Sequence, residues 1–205
     1  MSTTSIVLVG GKSVRLGRNK VTELIGNESL VQRVLSRLAI LSTEIILVTA
    51  QGQEEIPDFF QPGTKVIEDI FPEGGSLGGI YTGLTASSSS HSILVACDMP
   101  FLNVPLLGYM LEVSSLFDAA IPRVGGFLEP LHAVYSRNCI TPIRHLLEQG
   151  NQRVSGFFSQ IKIRYVEEEE VNRFDPEHLS FFNVNTQENL DQARRLVNSS
   201  TPQLS

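Results

Sequence analysis

Ser5–Lys20, SIVLVGGKSVRLGRNK, begins as a strand and ends as a cationic loop. Ser5 to Val9 is apolar and β-branched, and too short for a helix, so it reads as a buried strand. Gly10 and Gly11 follow at once. Two glycines at a strand end let the backbone turn sharply and let a ligand approach the main chain. Lys12, Arg15, Arg18 and Lys20 come next, with no acid between them. A loop of this kind at the carboxyl end of a strand suits a polyphosphate. Gly11-Lys12-Ser13 is not a P-loop, because the glycine required five positions earlier is Ile6. The dinucleotide pattern G-x-G-x-x-G is absent as well.

The whole-chain totals narrow the partner. A net charge of −6 argues against nucleic acid, whose phosphate backbone calls for a basic face. A basic loop inside an acidic protein points to a small anionic ligand. The length of 205 residues fits one domain, read here as residues 1–198, with 199–205 as a disordered tail. Cys97 and Cys139 lie far apart, offer no metal spacing, and read as thiols of a cytoplasmic protein without a signal peptide. No apolar run reaches membrane-spanning length, so no membrane partner is expected.

Outward from the loop, Gly26-Asn27 marks a turn. Leu30, Val31, Val34, Leu35 and Leu38 then fall on one helical face, with Arg33 and Arg37 on the other and Ser29 or Asn27 as the cap. Glu44–Thr49 reads as a second buried strand and Lys65–Glu68 as a short third strand ending at Asp69, with the acidic segment Gln53–Phe60 crossing between them. This rhythm implies a parallel, doubly wound sheet. Ligands on such sheets bind beyond the carboxyl ends of the strands, where Gly10, Gly11 and Asp69 would stand. Gly74–Ile80, GGSLGGI, reads as a glycine-rich loop running into a helix. His91–Ala96 is a fourth buried strand and ends in Cys97-Asp98-Met99-Pro100. Asp98 there is placed either to hold Mg²⁺, which takes oxygen ligands and bridges phosphates, or to cap the next helix. Asn103 and Pro105 are nearer to that helix start.

In the second half, Leu106–Leu116 reads as a helix, Asp118–Pro122 as a strand, and Phe127–Tyr135 as an apolar strand interrupted by Glu129 and His132. His132 is read either as a satisfied core or edge histidine or as a catalytic base. Cys139–Leu147 is a helix ending at Gly150, and Asn151–Phe158 opens another. Lys162–Val166 is a strand. The acids Glu167–Glu170 read as a solvated helix start. Phe182–Thr186 reads as a strand before a polar helix that runs to Val197.

Five motifs, in order, resemble the molybdenum cofactor guanylyltransferases within the sugar-nucleotide and cofactor nucleotidyltransferases. LVGGKSVRLGRNK resembles their signature L-A-G-G-x-S-x-R-M-G-x-D-K, with Val9, Leu16 and Asn19 as departures. GSLGGI carries Ser76 where the family has Pro. Asp98-Met99-Pro100-Phe101 matches D-x-P-F/Y, and Glu129–Tyr135 matches the family's motif near the second substrate. FFNVNTQENL matches the near-terminal F-x-N-V/I-N-T-P-E motif, with Gln187 for Pro, and Gln152 replaces one of two family arginines. The resemblance implies a three-layer α/β/α sandwich. Its sheet would be mostly parallel and Rossmann-like, with nucleotide-diphospho-sugar transferase-like topology and an antiparallel strand or two from the second half.

The implied reaction is GMP transfer from GTP to molybdenum-molybdopterin, with release of pyrophosphate. By the resemblance, Leu8, Val9, Gly10, Gly11, Lys20, Asp69, Gly78, Gly79 and Asp98 bind the nucleotide. Arg15, Lys20 and Asp98 are catalytic, and Asp98 ligates Mg²⁺. His132, Arg153, Asn183 and Asn185 face the pterin. A molybdopterin insertase, or target molybdoenzymes and their chaperones, are implied as further partners. Two alternatives stay open: a cytidylyltransferase or other small nucleotidyltransferase, and a non-catalytic nucleotide-binding adaptor.

Overall fold

The computed structural model describes residues 3–9, 22–52 and 63–200. The basic loop, with Gly10, Gly11, Arg15 and Lys20, lies outside the described residues, as does the crossing segment 53–62.

The chain opens with β1 (Thr4–Val9), fully buried as its β-branched run requires. A small hairpin, β2 (Leu24–Ile25) and β3 (Glu28–Ser29), turns at Gly26, whose φ of +65° favours glycine. Ser29 then caps α1 (Leu30–Leu38) in a reciprocal capping box with Gln32, and the five apolar residues of the sequence reading are all buried. There follow β4 (Glu44–Thr49), β5 (Thr64–Glu68), α2 (Gly75–Ala86), β6 (His91–Ala96), α3 (Val104–Val113), β7 (Ala119–Val124), β8 (Phe127–Leu128), β9 (His132–Ser136), α4 (Ile140–Glu148), β10 (Ile163–Val166), α5 (Glu168–Val171) and α6 (Gln187–Ser200).

The main sheet runs β5-β4-β1-β6-β9-β7-β10, with β8 paired to β7. β1, β4, β5 and β6 pair in parallel, as do β7 and β10; β9 is antiparallel to both neighbours. One face buries Val7, Val9, Ile45, Leu47, Ile93 and Val95 under α1 and α3. The other buries Ile6, Leu8, Ile46, Val48 and Leu94 under α2 and α4. This is the expected three-layer, mostly parallel sandwich, with the antiparallel strands in the second half.

Several local expectations are corrected. The glycine-rich Gly74–Ile80 is helix, not loop: a 3-10 turn, Pro72–Gly74, leads directly into α2. Its glycines serve close packing, since a methyl group on Gly78 would strike Phe71 O and one on Gly83 would strike Ile6 of β1. Phe127–Tyr135 is two strands, because Pro130 lacks an N–H and His132 N–H closes a turn onto Glu129 O (3.1 Å). Residues 154–160 form a 3-10 helix. The acids after β10 are engaged. Glu167 pairs with Arg123 (3.1 Å), Glu168 accepts from Gly125 N–H (2.8 Å), and Glu170 binds Arg164 (2.5 Å) and the Tyr109 hydroxyl. Phe182–Thr186 joins no sheet. α6 continues through Ser199 and Ser200, past the expected start of the tail. Asn103 and Pro105 do open α3, and the Asn103 side chain caps Leu106 N–H (2.9 Å).

Candidate active site at the carboxyl edge of the sheet

β1 and β6 lie side by side and end together, where Cys97 N–H donates to Leu8 O (3.1 Å). Leu8 and Val9 are buried, so their contribution to a ligand is main-chain. Asp98 follows directly, half-buried at the edge. Val184 N–H donates to Asp98 O (2.9 Å). This bond brings the two asparagines on either side of Val184 to the end of β6. They sit on extended coil, and what aligns them is the buried Val184 side chain, which packs with Ile25, Leu30, Leu190 and Ala193. Asn183 Nδ2 donates to Phe181 O (2.9 Å), and Asn185 N–H is 3.4 Å from Asn189 Oδ1. Thr186 caps α6 against Asn189 N–H (3.2 Å).

β9 enters the sheet at this same edge. Ala96 N–H donates to Leu131 O (3.1 Å), and His132 pairs with Val95. His132 has no exposed surface, and neither ring nitrogen has a hydrogen-bond partner. Burial lowers its pKa to about 3, so the ring is neutral near pH 7. Its ring centroid stands 4.7 Å from that of Phe181. The histidine therefore backs the segment that carries the asparagines and does not itself reach the surface. Glu129, on the turn before β9, is half-buried, and burial pushes its carboxyl above the usual range.

Asp69 ends β5 as expected, and its Oδ1 accepts from Phe71 N–H (2.8 Å) and the Thr82 hydroxyl (2.8 Å). That carboxylate shapes the passage into α2 while its Oδ2 faces Gly78. Gly79 lies against Leu8, so α2 sits flush on the end of β1. Arg153 follows α4, whose Leu147 meets Gly74 before α2. It thus stands on the sheet face opposite to Asn183 and Asn185, with its Nε on Ser155 Oγ (3.0 Å). The edge gathers Leu8, Val9, Asp98, Asn183 and Asn185, with Asp69, Gly78 and Gly79 flanking on the α2 side.

Sequence patterning alone misses what holds this edge. Arg37, expected on the solvent face of α1, donates to Leu102 O (3.0 Å) and steadies the stretch after Asp98. Burial, followed by the neighbouring Arg33, lowers its pKa. Neither cysteine forms a disulfide. A cleft lined by Asp118, Asn138, Thr141, His145 and Gln160 opens at the opposite, amino edge. Asp118 there is committed to Lys162 N–H (2.8 Å) and Asn138 Nδ2 (2.8 Å), so the cleft offers no free anion for chemistry.

Among the described residues no cluster of three or more His, Cys, Asp or Glu side chains is arranged to cage a metal. A single edge carboxylate nevertheless fits Mg²⁺, which is commonly held by one or two carboxylates, water and substrate phosphates. Among the described residues, no helix is long and apolar enough to cross a membrane.

Residues 5–163 match the family model of the MobA-like NTP transferase domain. The chain is 36% identical to a probable molybdenum cofactor guanylyltransferase of Pelotomaculum thermopropionicum, over 98% of this chain and 96% of that protein. It is 28% identical to a molybdenum cofactor guanylyltransferase of Desulfosudis oleivorans, over 96% of each. The crystal structure of molybdopterin-guanine dinucleotide biosynthesis protein A from Archaeoglobus fulgidus superposes with a TM-score of 0.82 at 25% identity, covering 96% of this chain and 99% of that one. A Thermus thermophilus 2-C-methyl-D-erythritol 4-phosphate cytidylyltransferase, 16% identical, shares the fold with a TM-score of 0.67, over 95% of this chain and 98% of that one.

Proposed function

The chain belongs to the MobA-like NTP transferase family, and from that membership we propose that it transfers GMP from GTP to the phosphate of molybdenum-molybdopterin. A phosphate oxygen of the pterin attacks the α-phosphorus of GTP. The bond from the α-phosphorus to the α,β-bridging oxygen breaks, and pyrophosphate leaves with its electron pair. The nucleophile is already an anion, so no strong general base is required. Catalysis then rests on in-line placement and on charge neutralisation.

The observation that carries this reading is the bond between Val184 N–H and Asp98 O. It brings the segment that carries the asparagine pair to the backbone of Asp98, at the end of β1 and β6, which supports a shared site there. Asn183 and Asn185 have the donors and acceptors to read a pterin edge, with His132 beneath them. Leu8 and Val9 line the nucleotide and lead into Gly10, Gly11, Arg15 and Lys20, to which the signature motif assigns the phosphates. Asp69, Gly78 and Gly79 form the wall on the base and ribose side. Arg153 is assigned to the pterin phosphate from the opposite face. Asp98 would hold Mg²⁺, which neutralises phosphate charge when bound.

Pyrophosphate release from GTP in the presence of molybdenum-molybdopterin tests the reading, with CTP, ATP and UTP as competitors. GTP-dependent release is the expected result. A preference for CTP would make the protein a cytidylyltransferase, and no release with any nucleotide would leave it a binding adaptor.

A further inference from the structure

Asp175 lies far from Asp98 in sequence and is buried, with 6% exposure. Both of its carboxylate oxygens are taken by backbone: Leu179 N–H to Oδ1 (3.1 Å) and Ser180 N–H to Oδ2 (2.8 Å). The turn it closes is one that few side chains favour, since His178 has a φ of +54°. Ser180, wholly buried, passes the restraint on. Its hydroxyl accepts from Asn103 N–H (2.6 Å) and points at Phe101 O (3.5 Å). Asn103 Nδ2 returns a bond to Phe174 O (2.8 Å). The rings of Phe101 and Phe182 meet at 5.9 Å, and Val184 N–H reaches Asp98 O. Residues 174–184 are thereby laced to residues 98–103, while Arg37 pins the latter from the other side.

A carboxylate is suited to this turn because it accepts from two N–H groups with no donor of its own to clash. What the lacing joins is the pair of segments assigned to the two substrates. The following inference rests on that assignment. We propose that Asp175 is a positioning residue that acts through Ser180. It sets the distance between the Asp98 carboxylate and the Asn183 and Asn185 amides, and so the approach of the acceptor phosphate to the nucleotide. In-line transfer demands reacting atoms within about 3–3.5 Å, and a misplacement of about 1 Å costs on the order of 10²-fold in rate.

The test compares Asp175→Asn and Ser180→Ala in the full-length protein. Asp175→Asn keeps the shape and turns an NH₂ against one N–H. Ser180→Ala keeps the Asp175 turn and removes only the link to Asn103 and Phe101. In both, kcat should fall by about 10²-fold and KM for the pterin should rise, while KM for GTP and the GTP-induced shift in Tm stay as in the wild type. The double variant should be no worse than the poorer single one, because both cut the same chain of bonds. Amide hydrogen exchange at Asn103 and Val184 should quicken, with β1 and β6 protected as before. Wild-type kcat and pterin KM in both variants would overturn the inference, as would GTP affinity falling in step with kcat, the mark of a general structural defect. If Asp175→Asn does not fold, Ser180→Ala decides. If the wild type itself shows no turnover, the proposed function fails, and unchanged exchange at Asn103 and Val184 would then overturn the lacing separately.

Discussion

Asp98 leaves β6 with its carbonyl bonded to Val184 and its side chain at the edge of the sheet, so removing the carboxylate should spare the fold. Asp98→Ala should retain the wild-type Tm and lose about 10²–10³-fold in kcat, the loss typical of one preorganised charge contact; an active variant would refute the metal assignment. His132 presents the opposite case, a buried polar ring with no hydrogen-bond partner. Such a group costs about 1–3 kcal/mol, so His132→Leu should stabilise the protein in urea by an amount of that order. Its titration has a definite sign. Burial holds the folded pKa at about 3, below the ordinary 6.5, so between these values the unfolded chain binds the extra proton. Stability is therefore lost as pH falls through this window, with a slope of up to about 1.4 kcal/mol per pH unit. Glu44 adds a second, more acidic window. Burial raises its pKa, but bonds from Lys65, Thr4 and Ser88 outweigh that and hold the carboxyl at about 2, below the ordinary 4.5. Its contribution is present above pH 4.5 and is lost on acidification toward 2. Urea titrations across pH should show a loss of stability on acidification from pH 6 to 5 that His132→Leu removes, with buried Glu129 acting in the opposite direction, and a shallower fall below 4.5 in Glu44→Gln.

At the scale of the element, α2 most clearly departs from its composition. Glycine disfavours helix by about 1 kcal/mol relative to alanine, which is why GGSLGGI reads as a loop. The contacts reverse this, because the bare positions let the helix lie on Ile6, Leu8 and Phe71. Gly78→Ala and Gly83→Ala should thus destabilise by about 1–3 kcal/mol in urea unfolding despite their better helix propensity. The acidic stretch that opens α5 shows the same limit. Four glutamates suggest a solvated face, yet Glu167, Glu168 and Glu170 tie α5 to β7, to the turn after it at Gly125, and to β10. By contrast the apolar face of α1 was legible, since it repeats with the helical period, and Ser29-Gln32 is a local cap.

For the whole molecule, the layout predicts a nucleotide response. With Mg²⁺ present, GTP at about 100 times its Kd should add roughly 2.7 kcal/mol of stability, read as a rise in Tm, with little from CTP, ATP or UTP. No shift with any nucleotide would count against the phosphate-loop reading. The sequence by itself determined the parallel sheet, the two apolar faces, the strand-end position of Asp98 and the asparagine motif. These follow from periodicity and from residues within a few positions of one another. Only the tertiary structure decided that residues 183–185 are coil docked on Asp98, that His132 lies beneath Phe181, and that Asp175 and Ser180 lace the two halves of the edge. Apart from the local turn at Asp175, those contacts join residues some 50 to 90 positions apart. No local propensity encodes them; they exist because the core brings distant polar groups together, and burial then requires most of those groups to find partners.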